Sequence, residues 1–299
     1  MITVFGSINM DLVATTPRLP VPGETVAGTS FATAAGGKGA NQALAARRAG
    51  ADVRMVSAVG RDEFAAPAVA LLDAAGTDLS GVKTVDGPTG TALILVGGDG
   101  ENMIAVVAGA NGTVDAGQAE AAVSALKAGD TLMLQLEVPA KAVEAALKAA
   151  KGAGVRTILN LAPLTAEAAT LAKLADVVIA NETEFELLAG RQGLTAAERE
   201  ETALSMHRET GQVLIITLGA AGVIAAEGGV LHKAQGLKIE PVDTVGAGDT
   251  FCGYFAASLD AGLGFDAALR RAAVAGSLAC LKAGAQPSIP VAGDVAGRL

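Results

Sequence analysis

Tryptophan is missing from the 299 residues, tyrosine occurs once, and aromatic residues together make up only 3%. Proteins that grip single-stranded nucleic acid stack its bases on aromatic side chains, so that role is not expected. Positive charge is also short: 22 Lys and Arg stand against 31 Asp and Glu, a formal charge of −9. That balance argues against a nucleic-acid partner, although local N–H groups on an acidic protein can still hold a nucleotide. The two cysteines, Cys252 and Cys280, and the two histidines, His207 and His232, show no zinc-binding spacing. Both cysteines lie in apolar, helix-like surroundings and read as buried thiols. His207 falls on a polar helix and is expected in solvent, His232 reads as structural in a hairpin, and neither supports a Ser-His-Asp arrangement. No basic start followed by an apolar run suggests a signal peptide, and no apolar run approaches the roughly 18–20 residues of a membrane span. A cytoplasmic protein without a membrane partner is the expectation.

Hydrophobic residues, in contrast, make up 51% of the chain, ample for a large core. Residues 2–8 read as a buried strand that gives way to a turn at Asn9-Met10-Asp11. Short strands are expected within 24–36, and a helix from the Gly36-Gly37-Lys38-Gly39-Ala40-Asn41-Gln42 run to about Ala49. Thr91–Val96 and Met103–Val107 flank a turn cluster and predict a hairpin; with 24–36 they predict a small sheet apart from the main core. After Asn111 helices and strands alternate, and several strands are continuous apolar runs, as in a parallel sheet covered on both faces. A second hairpin is read over Gly222–Glu227 and Val230–Gln235. Helices Ala166–Leu174, Asp249–Ala261 and Phe265–Lys282 are expected, the last followed by a short tail. The pattern predicts one α/β domain over residues 1–299: a doubly wound, mostly parallel sheet flanked by helices, with a small β-sheet lid from about 12–36 and 88–109. Ligands of such sheets sit at the carboxyl ends of the strands.

The stretch Val242-Asp243-Thr244-Val245-Gly246-Ala247-Gly248-Asp249-Thr250-Phe251 places two glycines before an acid at the start of an apolar helix. Free N–H groups at a helix N-terminus bind anions, and glycines let the anion approach. A carboxylate there would repel the anion unless it acts as a base or holds a cation, so the stretch reads as a phosphoryl-transfer site. Asp249 would be the base, with the Gly246-Ala247-Gly248 amides as the anion hole; the plainer alternative is a helix-capping acid. Asn9 and Asp11 could bind sugar hydroxyls or form an Asx turn. Glu137 and the Asn181–Glu184 segment could be first-turn acids favoured by the helix dipole, and the latter could also support hydrated Mg²⁺ and phosphate. Thr217 and Gly219 end a strand and could simply turn; Asp243 could cap or bind a cation. Gly36–Gly39 lacks P-loop spacing, and no Gly-x-Gly-x-x-Gly follows the first strand, which weighs against a nicotinamide or flavin enzyme.

Taken together, Gly36-Gly37-Lys38-Gly39-Ala40-Asn41-Gln42-Ala43 and Asp243-Thr244-Val245-Gly246-Ala247-Gly248-Asp249-Thr250-Phe251 resemble the two signatures of the ribokinase-like family of carbohydrate and nucleoside kinases. The likeness covers nearly the whole chain. Asn9-Met10-Asp11, Gln135-Leu136-Glu137 and Gly284-Ala285-Gln286-Pro287-Ser288 favour its ribose-phosphorylating members over fructose or adenosine kinases. The resemblance implies ATP-dependent phosphorylation of the 5-hydroxyl of D-ribose. It implies sugar contacts from Asn9, Asp11, Gly37, Lys38, Asn41 and Glu137, with Asp249 as the base. Asn181, Glu184, Thr217, Gly219 and Gly248 would face the nucleotide phosphates and Mg²⁺. Ala273 would lie near adenine, where relatives often carry a polar side chain. Leu161 likewise departs from a frequent proline in Asn160-Leu161-Ala162-Pro163. A K⁺ site would use the Asp243 side chain, the carbonyls of Val245, Ala279, Lys282 and Gly284, and the Ser288 hydroxyl. The lid of such proteins also pairs with a second subunit, so a homodimer is implied. The competing readings are a kinase of another sugar or a nucleoside, and a sugar-binding regulator without catalysis.

Overall fold

Strands that carry Val, Ile and Leu without polar alternation must be covered on both faces. Ile2–Phe5 and Thr131–Leu134 are of this kind, and every residue of both is buried. The computed structural model describes residues 1–299. Its strands run β1 Ile2–Phe5, β2 Asn9–Thr15, β3 Ser30–Gly36, β4 Val53–Val59, β5 Asp78–Thr84, β6 Gly90–Val96 and β7 Asn102–Val107. They continue with β8 Thr131–Leu134, β9 Arg156–Asn160, β10 Val177–Asn181, β11 Val213–Thr217, β12 Val223–Glu227 and β13 Val230–Ala234. Nine form the large sheet, in the order β13-β12-β11-β10-β9-β8-β1-β4-β5. It is parallel from β5 to β11 and ends in the antiparallel hairpin β12–β13.

Successive strand residues point to opposite faces, and the core divides accordingly. Ile2, Val4, Met133, Ile158, Ile179 and Ile215 pack with helices Lys38–Arg48, Ala247–Asp260 and Phe265–Ala279 on one face. Phe5, Leu132, Leu134, Leu159, Val178 and Leu214 pack with helices Ala116–Ser124 and Ala140–Ala153 on the other. This is the doubly wound α/β architecture with helices on both faces.

The remaining four strands form a separate small sheet, β3-β2-β6-β7. Gly6–Ile8 links β1 of the large sheet to β2 of the small one, so the small sheet begins where β1 ends. Asn9, Met10 and Asp11 are therefore the first residues of β2 rather than a turn, because each pairs with both β3 and β6. The Asx-turn alternative for Asn9 and Asp11 falls with that pairing.

Other differences have local causes. β5 carries no apolar run, since it is an edge strand whose residues are all partly or fully exposed. Within 24–36 only Ser30–Gly36 is a strand, and the helix expected over Ala166–Leu174 is confined to Ala168–Ala172. The helix starting at Phe265 ends at Ala279, and the expected tail contains two short helices, Ala285–Ser288 and Ala292–Ala296. His207 is not a free solvent group: its Nδ1 lies 2.7 Å from the Gln212 carbonyl, and its Nε2 accepts from Gly229 N at 3.0 Å. His232 is structural, 2.7 Å from Asp266 Oδ1 and edge-on to Phe265. Cys252 is buried and Cys280 half-buried, both as free thiols.

A single helix crossing positions Asp249. Helices Lys38–Arg48 and Ala247–Asp260 cross at Gly253, where a Cβ would stand 2.5 Å from both the Gln42 carbonyl oxygen and Ala45 Cβ. Only glycine allows that approach. Asp249 lies one helical turn before Gly253, so the same crossing carries its side chain onto Asn41 and Gln42.

Candidate active site

The helix that carries Asp249 begins at Ala247, two residues earlier than expected, with Gly246 as its N-cap. Gly246 has φ of 77°, and a Cβ on it would lie 2.9 Å from Ala285 Cβ, so both its conformation and its surroundings require glycine. At the following helix start, Ala247 N reaches Thr244 O at 3.3 Å, whereas Gly246 N, Gly248 N and Asp249 N have no acceptor within the protein. Gly248 is exposed and a Cβ there would meet nothing, so these donors open outward. Unpaired N–H groups at the positive end of a helix form an anion site.

Asp249 sits at the third helical position and is buried, 7% exposed. Both of its oxygens accept hydrogen bonds: Oδ2 from Asn41 Nδ2 at 2.9 Å and Oδ1 from Gln42 Nε2 at 3.0 Å. The Asn41 Oδ1 beside it is buried and unpartnered. A carboxylate so held, next to open amides, can take a proton from a hydroxyl placed between them.

A second group of side chains comes from β2, the helix at Lys38 and the segment just after β8. Asn9 Oδ1 accepts from Asn111 Nδ2 at 2.7 Å, and Asn111 in turn clasps the Ile8 backbone through both its side-chain atoms. The Asp11 carboxylate lies over Gly36, where a Cβ would overlap it. Glu137 Oε2 accepts from Ser7 Oγ at 2.5 Å and from Lys38 N at 3.0 Å, and Ser7 Oγ also accepts from Gly39 N. Gly37 precedes this helix as its N-cap.

Electrostatics ties these groups together. Burial, reinforced by the Glu137 and Asp249 charges, pushes the Asp11 carboxyl up to about 6 against the pull of Lys38. The Lys38 ammonium is held above its ordinary value, first by Asp249 and then by Glu137 and Glu184, against burial. Burial also raises the Glu184 carboxyl, opposed by the Asn181 N–H and by Lys38. The charges of Asp249, Glu137 and Glu184 thus act on Lys38, and Lys38 acts in turn on Asp11.

Glu184 and Asn181 form a reciprocal capping box: Asn181 Oδ1 accepts from Glu184 N, and Glu184 Oε2 accepts from Asn181 N, each at 2.8 Å. This leaves the exposed Asn181 amide N–H₂ and one Glu184 oxygen uncommitted. Thr217 ends β11 and Gly219 follows, exposed, with φ of 55°. Ala273 is 9% exposed, and its carbonyl accepts from Ser277 Oγ, so it offers little beyond a methyl group.

The Asp243 loop packs on the segment after the helix ending at Ala279. Val242 N and Asp243 N donate to the Cys280 carbonyl, and Gly284 N donates to Asp243 Oδ2 at 2.8 Å. Asp243 Oδ1 accepts from Val245 N, and Ser288 Oγ donates to Ala285 O. Asp243 has no Lys, Arg or His partner, and no group of three His, Cys, Asp or Glu side chains gathers anywhere. The Asp243 carboxylate is thus held by two backbone N–H groups and by no side-chain cation, and a lone carboxylate does not make a transition-metal site.

The sequence motifs contain Gln42 and Gln135 without assigning them a role, and Ser7, Asn111 and Asn160 drew no functional reading. The available signal was the polar pair Asn41-Gln42 inside the otherwise apolar start of a helix in which residues 39–46 are all buried.

The family model described as pfkB family carbohydrate kinase matches residues 1–292. The chain is 37% identical to a ribokinase of Haemophilus influenzae over 290 residues, 97% of this chain and 95% of that one. It is 38% identical to a ribokinase of Bacillus subtilis, with 98% and 97% covered. Its fold is similar to that of an Arabidopsis thaliana ribokinase complexed with ribose and ATP, with a TM-score of 0.88, 30% identity, and 99% and 97% of the two chains covered.

The Asp11 shift makes a prediction about the ligand-free protein. Its folded-state pKa of about 6 lies above the ordinary 3.8, so its contribution to stability is full below 3.8 and is lost as pH rises through 6. Asp11→Asn removes that loss. The variant should match the parent near pH 4 and be the more stable of the two at pH 7. Thermal unfolding across that range checks this, and a variant less stable than the parent at pH 7 contradicts it.

Proposed function

The chain belongs to the pfkB family of carbohydrate kinases, and on that premise we propose that it transfers the γ-phosphoryl group of ATP to the 5-hydroxyl of D-ribose. The products are D-ribose 5-phosphate and ADP. The observation that carries this reading is the buried Asp249 carboxylate, held by two amide donors beside open amides at one helix N-terminus. A sugar hydroxyl is too weak an acid to attack unaided, and a positioned carboxylate helps by taking its proton. Asp249 is that base. Negative charge spreads over the phosphoryl oxygens as the bond to the leaving group loosens, and of the Gly246-Ala247-Gly248 amides the unpaired Gly246 and Gly248 N–H groups face that charge, Ala247 N being engaged by Thr244 O.

Asn9, Asp11, Gly37, Lys38, Asn41 and Glu137 are read as the ribose contacts. A sugar hydroxyl both donates and accepts: the unpartnered Asn41 Oδ1 and the Asp11 carboxylate can accept from it, and the Lys38 ammonium can donate to it. Asn181, Glu184, Thr217 and Gly219 are read as the nucleotide side, with Ala273 toward the adenine. The free Glu184 oxygen fits the hard-oxygen preference of Mg²⁺, directly or through water. When bound, Mg²⁺ would neutralise charge on the phosphate oxygens. Residues 1–299 act as one unit, and the small sheet is its lid, which on closing excludes water from the transfer. No helix is long and apolar enough to cross a membrane; a cytoplasmic location goes with this reading.

Asp249→Asn keeps the shape and the Gln42 bond but removes the base, and the Asn41 side chain must turn its open Oδ1 to accept from the new amide. The substitution should lower kcat by about 10²–10⁴ with ribose affinity largely retained. Coupled-assay kinetics on ribose and ATP check this, and near-parental kcat would remove Asp249 from the role. The Asp243 loop, with Val245, Ala279, Lys282, Gly284 and Ser288, is read as a K⁺ site that shapes the adjoining anion hole. Turnover should then rise with K⁺ over Na⁺, and equal rates in K⁺-free buffer would defeat the assignment. β7 is exposed at every residue, and Phe31 and Met103 are exposed on the same small sheet. A second copy covering that apolar sheet gives a homodimer, and sedimentation showing only monomer at micromolar concentration would contradict it.

A further inference from the structure

Behind Asp249 runs a line of side-chain amides, with Gln42 and Gln135 buried and Asn160 half-buried. Asn160, at the end of β9, donates from Nδ2 to the Ile179 carbonyl at 3.2 Å. That bond turns Asn160 Oδ1 toward Gln42, whose Nε2 donates to it at 3.3 Å and to Asp249 Oδ1 at 3.0 Å. Gln42 Oε1 then accepts from Gln135 Nε2 at 2.7 Å, just past the end of β8. Gln42 is 1% exposed and Gln135 wholly buried.

The direction of this line is determined at one end. The Ile179 carbonyl can only accept, so Asn160 must present nitrogen to it and oxygen to Gln42. Gln42 must then present nitrogen, because oxygen would face both the Asn160 oxygen and the Asp249 carboxylate. Gln135 in turn must present nitrogen to Gln42. Reversing any one amide opposes acceptor to acceptor in a buried site, where an unmade hydrogen bond costs about 1–3 kcal/mol. The Gln135 Oε1 left over has no partner. It occupies the space that a Cβ on Gly6 would fill, so Gly6 at the end of β1 makes room for the line.

Both Gln42 amide hydrogens are engaged within the protein, and its oxygen already has a donor. It has no N–H left to offer a substrate, whereas Asn41 has an open oxygen that can accept from one. We propose that Gln42 is a positioning residue, oriented by Asn160 and Gln135, that locks the Asp249 carboxylate plane for proton transfer. This rests on the reading of Asp249 as the base. A carboxylate held only by Asn41 could rotate about its Cβ–Cγ bond, and a small misplacement of a catalytic group costs rate without weakening ligand binding.

A double-mutant cycle on the full-length protein tests this, using Gln42→Met, Asp249→Asn and the pair, with kcat and both KM values measured on ribose and ATP. Gln42→Met should lower kcat roughly tenfold or more while both KM values stay within about twofold. Added to Asp249→Asn, it should change kcat by less than about twofold, since a base already absent cannot be misplaced. An equal loss in both backgrounds, or a loss confined to KM, overturns the proposal. If Asp249→Asn collapses turnover while Gln42→Met leaves it intact, the positioning role fails and the base stands. If Asp249→Asn turns over normally, both fail. Should Gln42→Met not fold, Gln135→Met serves in its place: it removes the bond one step further from Asp249 and should give a smaller kcat loss that also vanishes in the Asp249→Asn background.

Discussion

Asp249 meets its partners because two helices cross at a residue with no side chain. Gly253 lets the backbone of Ala247–Asp260 lie against Gln42 and Ala45, and one turn earlier the Asp249 carboxylate reaches Asn41 and Gln42. The helix Lys38–Arg48 is itself pressed against the end of β1, where Gly39 N bonds to Ser7 Oγ and Ala40 N to Ser7 O. Ser7 then donates to Glu137 beyond β8. Strand ends, the first helix and the helix of Asp249 are therefore one continuous contact, and Glu137 is tied to it through Ser7 Oγ and Lys38 N.

The same geometry concentrates negative charge. Asp249, Glu137 and Glu184 act on a single Lys38, Lys38 acts in turn on Asp11, and burial holds Asp11 close to neutral pH. The raised Asp11 and Glu184 carboxyls lower the stability of the protein at neutral pH. The opposite sign of charge is supplied by backbone: the unpaired N–H groups at Gly246, Gly248 and Asp249 carry the positive end of the helix without a side chain. An acid and open N–H donors can share one helix start because the donors are backbone dipoles fixed by the fold.

Much of this was legible in the residues themselves. Continuous apolar runs identified the parallel strands, the glycine-flanked turns identified both hairpins, and the Gly-Ala-Gly-Asp stretch identified the helix start. Asn9–Asp11 misled as a turn because Asn and Asp favour turns locally, while pairing with β3 and β6 is a long-range fact. β5 escaped because an edge strand needs no apolar face. Gln42 escaped because adjacent helix residues normally face apart, so Asn41 and Gln42 did not suggest one target. They share Asp249 because its two oxygens point to both, and the line of amides through Asn160 and Gln135 joins residues more than ninety positions apart. Spacing along a chain carries no trace of such a line.

The dependence of Asp249 on the helix crossing is tested most directly by Gly253→Ala. The added methyl would fall 2.5 Å from Gln42 O and Ala45 Cβ, so the helices must part. Overpacking of this kind costs about 1–3 kcal/mol. The expected variant still unfolds cooperatively and turns over at least about tenfold more slowly because the carboxylate has left its two amides. Parental kcat in a variant carrying that loss of stability would contradict the dependence.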